Sequence, residues 1–259
     1  MNSINILGYG VMGKQIASLF YLGGFEVNIW NDVPMKEADL LRQIKLTGKE
    51  IASRDQGKIN YVYDLDSLPQ SVTIEAVVED LVIKQDLHQR IGKRFSMPYF
   101  TNSSSFAPTE IEKNVNGLHF FNPITLGLVE LYLSQKEIER QIQPILEMLR
   151  AFHFEIVEVL SNRGYVGNYL LFREISSFFK LIEEHHYPLE VAIKTYAKLY
   201  AGRNIIKIID LIGLDVVYKI LVNLKAEDST LYLPKCFEAA LAKNIFGRKN
   251  KTSIAQVLQ

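Results

Sequence analysis

A single cysteine in 259 residues, Cys236, leaves no partner for an internal disulfide and has no Cys or His neighbours at metal-ligand spacing. That usage suits a reducing cytoplasm, and no metal is expected. No charge of one sign prevails either: Lys plus Arg and Asp plus Glu number 29 each, so no global field draws nucleic acid or an anionic membrane surface. Any charged ligand must be held by local features. The longest apolar stretch, residues 205–224, is interrupted by Lys207, Asp210, Asp215 and Lys219, which argues against a membrane span. Residues 4–7 begin an apolar strand with no basic stretch, long apolar run or cleavage site before them, so no secretory signal is expected. Internal repeats and low-complexity segments are missing too. What remains is a globular composition, 48% hydrophobic, able to fill the core of one large domain or two smaller ones.

The local anion site comes at once. A strand over residues 4–7 runs into Gly8-Tyr9-Gly10-Val11-Met12-Gly13 and then into Lys14–Phe20, whose apolar positions have helical spacing. This is GxGxxG in its strand–turn–helix setting. Gly8 allows the tight turn, Gly10 the close approach of a pyrophosphate and Gly13 the packing of helix on strand. The N–H groups at Val11 and Met12 then point at the phosphates. A second strand, residues 25–30, ends at Asn31-Asp32, one of which takes the ribose-binding position. An acid there repels a 2′-phosphate and no Arg follows at once, which favours NAD over NADP; Asp32 also reads as a turn residue before Pro34.

Residues 36–60 read as a polar excursion at the sheet's edge, helical over 36–44. A strand over 73–78 ends at Glu79-Asp80, a helix follows over 83–95, and a short strand over 99–101 leads to Asn102-Ser103-Ser104-Ser105. Lys84 lies just past a strand end, where α/β sheets bind ligands, whereas His88 sits among Lys, Gln and Asp and is expected to face solvent. The run Gly117-Leu118-His119-Phe120-Phe121-Asn122-Pro123, continuing to Leu128-Val129-Glu130-Leu131, reads as strand, Pro-containing turn and strand. It carries one histidine and one carboxylate, a general-base pair in principle. A His on an apolar strand is more often a packed core residue than a catalyst, so the residues alone leave both readings open. A helix over 136–152 and a strand over 154–160 follow. Beyond residue 161 the pattern turns helical, over 166–184, 189–200, 204–212, 216–226 and 236–243, with Asp215 placed as an N-cap. The expected architecture is therefore α/β, a doubly wound, mostly parallel Rossmann-type sheet over residues 1–161, with an all-helical domain over 162–259.

Taken together these motifs resemble the NAD-dependent 3-hydroxyacyl-CoA dehydrogenases. The likeness rests on the Gly8, Gly10, Gly13 motif, Glu75-Ala76-Val77-Val78-Glu79-Asp80-Leu81 with Lys84, and Thr101-Asn102-Ser103-Ser104-Ser105. It continues through the His119 run, Leu128-Val129-Glu130, Gly164-Tyr165-Val166-Gly167-Asn168 and Asp210–Asp215, all in the family's order. The resemblance implies an oxidoreductase converting a (3S)-3-hydroxyacyl thioester to its 3-oxo form with NAD, in which His119 is the general base and Glu130 orients it. It further implies that Ser104 and Asn168 position the substrate's oxygens, that Glu79, Lys84, Asn102 and Asn122 contact the nicotinamide half of the cofactor, and that the helical domain completes the site and forms a homodimer.

Some features depart from the family's pattern. The loop from His119 to Glu130 is one residue shorter than usual, and the excursion between Asp32 and Thr73 is shorter than the helical hairpin that helps hold CoA in the family. Arg163 and Tyr169 also replace the usual residues around Asn168. A thioester on an acyl carrier protein, in place of CoA, fits the shortened excursion. The rival reading is a catalytically silent dinucleotide-binding relative, favoured by the altered helical motifs and opposed by the intact Ser104, His119, Glu130 and Asn168.

Overall fold

A computed structural model describes residues 2–51 and 56–257, which divide into two compact units, Met1–Tyr165 and Val166–Gln259. The first unit is built on eight strands: β1 (Ser3–Leu7), β2 (Glu26–Trp30), β3 (Lys58–Val62), β4 (Val72–Glu75), β5 (Tyr99–Thr101), β6 (Asn116–Phe120), β7 (Leu128–Tyr132) and β8 (Glu155–Glu158). They form one sheet in the order β3-β2-β1-β4-β5-β6-β7-β8. The first six are parallel; β7 runs antiparallel to β6 and carries β8 with it. The chain leaves β1 toward β2 and later returns to the other side of β1 as β4, which opens a crevice at the carboxyl ends of β1 and β4, where such sheets bind ligands.

Helices cover both faces. Helix α1 (Val11–Leu22), α2 (Glu37–Thr47), α3 (Leu81–Arg94), α4 (Pro108–Ile111), α5 (Ile138–Gln141) and α6 (Gln143–Ala151) belong to this unit. Ile4 and Ile6 of β1 pack with Ile16, Leu19 and Phe20 of α1, whereas Leu7, on the opposite face, packs with Leu87, Ile91 and Phe95 at α3. Beside Leu7 on that face runs a file of polar side chains, one per strand. Asn60 donates to Asn28 at 2.8 Å, Asn28 to Asn5 at 3.2 Å and Asn5 to Thr73 at 3.2 Å, and these residues are register partners across β3, β2, β1 and β4. Burying these amides is tolerated because each finds its neighbour, and a one-residue slip of any strand would orphan them.

Three local expectations are corrected. The polar excursion ends in β3, an edge strand whose half-exposed Lys-Ile-Asn-Tyr-Val alternation is hidden by its charged surroundings. The helix expected over 136–152 is broken at Ile142, because Pro144 supplies no N–H and forces a fresh start in α6. Asp215 is not an N-cap: Gly213 takes that place, and Asp215 lies in the following turn, ion-paired with Lys249.

The second unit consists of α7 (Gly167–His185), α8 (Leu189–Leu199), α9 (Ile205–Ile212), α10 (Leu214–Glu227) and α11 (Lys235–Ala242) with two short 3-10 turns. Its core joins Phe172, Ile175, Phe179, Ile209, Val217, Leu221 and Phe237. Among the described residues no helix is long and apolar enough to cross a membrane, and no group of three His, Cys, Asp or Glu is placed to hold a metal.

Candidate active site

The Gly8–Gly13 turn opens at the carboxyl end of β1, clamped between its neighbours: Gly8 N–H donates to Trp30 O at 2.8 Å and Ala76 N–H to Leu7 O at 2.7 Å. Gly8 has φ +106°, and a Cβ there would lie 2.5 Å from Ala76 O. A Cβ on Gly13 would approach Gly8 O to 2.0 Å, whereas one on Gly10 would meet nothing within 4 Å. The open space at Gly10 is the cradle a pyrophosphate requires, facing the first turn of α1, whose N-cap Gly10 offers no side chain to occupy the Val11, Met12 and Gly13 N–H groups. The residues present therefore fit a dinucleotide. Gly13→Ala is expected to push α1 off the turn. NADH affinity should fall at least tenfold in a fluorescence titration of the folded variant; unchanged affinity would remove the turn from the cofactor site.

At the end of β2, Asn31 is used inside the turn. Its Oδ1 accepts from Tyr9 N–H at 3.0 Å and its Nδ2 donates to Val33 O at 3.1 Å, while Asp32 is exposed beside it.

The ends of β4 and β5 surround a buried charge hub. Glu75, wholly buried, takes the Lys84 ammonium at 2.7 Å and the Val77 N–H at 2.7 Å on one oxygen, and the Thr101 hydroxyl at 2.8 Å and His88 Nε2 at 3.3 Å on the other. Burial pushes its carboxyl pKa up, but the Lys84 charge and the bonds from His88 and Lys84 outweigh burial and hold it at about 2. Lys84 reaches Glu79 at 3.8 Å, and Glu79 accepts from Ser103 Oγ at 2.8 Å. A continuous polar chain thus runs from beneath the sheet to the strand ends.

The solvent-facing expectation for His88 is overturned: it is fully buried, its Nε2 on Glu75. A signal for this was present, because Lys84, Leu87, His88 and Ile91 fall on one helical stripe and are the buried residues of α3. The two polar members of that stripe share one acid.

His119 and Glu130 are direct partners across the antiparallel β6·β7 pair, so their side chains leave the sheet on the same face. Nδ1 of His119 lies 2.8 Å from Oε2 of Glu130, with both side chains almost wholly buried. An ionised carboxylate only accepts, so Nδ1 carries the hydrogen, and in the neutral ring Nε2 is then the nitrogen with the lone pair. The imidazole sits between aromatic rings, Phe121 at 4.6 Å and Tyr165 at 5.7 Å between centroids. Gly117 makes room for Tyr165, since a Cβ there would come within 2.2 Å of its hydroxyl. That hydroxyl is buried without a hydrogen-bond partner among the described residues, and burial, then the Glu130 charge, push its pKa up.

Two asparagines flank the pair. Asn102, past the end of β5, accepts from Phe120 N–H at 2.9 Å, and Asn122, past the end of β6, accepts from Gln15 Nε2 at 3.0 Å. Ser104 is buried on the same loop as Asn102, and its carbonyl accepts from Gly164 N–H at 2.6 Å. In the first unit, then, Ser104, His119, Glu130, Asn102 and Asn122 come from neighbouring strand ends, with Glu79 and Lys84 just after β4. Asn168 belongs to the second unit, in the first turn of α7. Glu75, Ser103, His88, Tyr165 and Gln15 escaped the sequence-level choice of site residues. Gln15 and His88 carried a usable sign, a polar residue in helical register with apolar ones on a buried face.

A phosphate cradle at the switch point of a doubly wound sheet, with a His–carboxylate pair at the next strand ends, defines a dinucleotide-dependent oxidoreductase. Residues 3–162 match the family model described as 3-hydroxyacyl-CoA dehydrogenase, NAD binding domain, and the chain belongs to that family of NAD-dependent dehydrogenases. It is 27% identical over 274 residues to a 3-hydroxybutyryl-CoA dehydrogenase of Clostridioides difficile, covering 95% of this chain and 96% of the relative. It is 25% identical over 278 residues to the mitochondrial hydroxyacyl-coenzyme A dehydrogenase of Sus scrofa, covering 95% and 88%. In fold it is similar to M. tuberculosis FadB2, with a TM-score of 0.84 at 21% identity over 97% of both chains.

Proposed function

We propose that this chain reversibly oxidises a (3S)-3-hydroxyacyl thioester, in the first instance an acyl-CoA, to the 3-oxoacyl thioester. The observation that carries the reading is the 2.8 Å His119–Glu130 pair, set by strand register beside the dinucleotide cradle. Bound NAD supplies the hydride acceptor. His119 Nε2 takes the proton of the 3-hydroxyl as the C3–H bond gives up its electron pair, so the C–O bond becomes a carbonyl and the proton rests on the imidazole. Glu130 holds the ring in the tautomer that can accept and offsets the charge that forms. In reduction the same proton returns to the oxygen. Ser104 and Asn168 position the substrate's oxygens, and Glu79, Lys84, Asn102 and Asn122 serve the nicotinamide half; Lys84 acts there through Glu79, because its ammonium is buried against Glu75.

The shortened segment after β2 favours a second form of the same chemistry. Among the described residues α2 is the one helix between β2 and β3, and less surface for a CoA moiety fits a thioester on an acyl carrier protein. The test is NADH oxidation against short and long 3-oxoacyl groups on CoA and on carrier protein, with the protein's mass in solution recorded for the dimer that the family resemblance implies. Turnover on either carrier supports the chemistry and assigns the carrier. A folded protein that binds NADH and turns over none of them is a silent relative.

A further inference from the structure

We infer that Gln15 is a positioning residue for the nicotinamide half of the cofactor, acting through Asn122; this rests on the reading that Asn122 serves that half. Gln15 lies on α1 just past Gly13, is 5% exposed, and faces the turn that follows His119 across more than a hundred residues of chain. Its Oε1 accepts the Ile124 N–H at 2.7 Å, and its Nε2 lies 3.0 Å from Asn122 Oδ1.

The directions of these bonds follow from chemistry. A backbone N–H can only donate, so the end of Gln15 that faces Ile124 must be its oxygen. The end that meets Asn122 is then the NH2 group, and Asn122 must answer with Oδ1. Its own NH2 group, which has no acceptor among the described residues, is left as the end available to a ligand oxygen. Gln15 thereby fixes Asn122 as a donor. Asn102 is fixed in the same sense by the Phe120 N–H, so both amides beside the His119 pair present N–H groups. An acceptor-rich partner, such as the nicotinamide carboxamide oxygen or the adjoining ribose hydroxyls, is the chemistry they suit.

The alternative is that Gln15 only braces the helix. A buried amide in an apolar stripe costs free energy unless both its ends are satisfied, and both are, at the turn linking the catalytic strands. The helix that receives the pyrophosphate is thereby tied directly to the residue serving the other end of the same ligand.

The experiment compares NADH with ADP-ribose, which keeps the pyrophosphate and lacks the nicotinamide, by calorimetric titration. Gln15→Glu retains the acceptor for Ile124 and replaces the donor to Asn122 by an oxygen, so Asn122 should turn over. NADH should bind about tenfold more weakly, the scale of one hydrogen bond, with ADP-ribose unchanged. Asn122→Ala should lose as much, and the double variant no more than Asn122→Ala alone. Equal losses for both ligands would make Gln15 a brace of the phosphate helix, and additive losses would mean it does not act through Asn122; either overturns the inference, as does unchanged NADH affinity. Should Gln15→Glu fail to fold, Asn122→Asp keeps the bond from Gln15 and puts a charged oxygen where the donor was, with at least the same expected loss for NADH and a smaller one for ADP-ribose. None of these titrations needs turnover, so failure of the thioester panel and failure of this inference are separate results.

Discussion

His119→Gln is expected to lower kcat for 3-oxoacyl thioester reduction by about three to four orders of magnitude while NADH affinity stays within about twofold, the range a positioned acid–base group contributes. Glutamine fills nearly the same volume and can still donate to Glu130, so the strands and their rings need not move. What it cannot do is hold a transferable proton at the Nε2 position. Glu130→Gln should cost at least about a hundredfold by a different route. An amide at this site can turn its NH2 toward Nδ1, which then serves as acceptor and leaves the hydrogen on Nε2, the wrong tautomer for oxidation. Both variants are read by steady-state kinetics alongside an NADH titration. A His119→Gln protein retaining a tenth of its turnover would remove His119 from the chemistry.

The largest stability effect is expected at Glu75. Lys84 and His88 both turn to it from α3, and Thr101 from β5, inside a region closed to water. Glu75→Gln removes the charge and leaves the buried Lys84 ammonium only its 3.8 Å approach to Glu79, and breaking one side of a buried pair costs about 3–5 kcal/mol, on the order of 10 °C in melting temperature. Replacing Lys84 by Met in the same protein should recover part of that loss, because the buried charge goes too. The folded carboxyl at about 2 lies below its ordinary 4.5, so its stabilisation is complete above pH 4.5 and is lost as pH falls toward 2. That window is worth about 3 kcal/mol, because each tenfold change in proton affinity amounts to roughly 1.4 kcal/mol, and the Glu75→Gln protein should lack it. Thermal melts between pH 3 and 7 decide the matter. A variant melting within about 2 °C of the parent, with the same acid profile, would mean the hub contributes little.

The parts of the site legible in the sequence are those whose chemistry is local. A glycine spacing in a strand–turn–helix setting needs no distant partner to be read, and the run around His119 carries its strand, turn and strand within a few residues. The Glu130 partner was readable because it lies on the adjoining strand of the same hairpin. Where the partner is remote, the reading fails. His88 looks solvated because its sequence neighbours are polar, and only the fold reveals that its stripe of α3 meets Glu75. The Asn5, Asn28 and Asn60 file is invisible for the same reason: each amide alone argues against a central strand, and together they satisfy one another. Gln15 and Asn122 are 107 residues apart, and no periodicity connects them. The edge strand β3 was lost to its half-exposed, charged setting, which leaves an alternating pattern with little contrast.

The register of β6 on β7 also changes what the short turn between them means. His119 faces Glu130 because hydrogen-bonded strands hold them opposite each other, not because a loop of fixed length measures out the distance. The strands act as a ruler and the segment 121–127 as slack. Residues can be gained or lost in that slack without altering the His119–Glu130 spacing, whereas sliding one strand by a single residue would turn Glu130 to the far face and separate the pair. The hairpin thus lets the surface around His119 change while the His119–Glu130 pair stays in place.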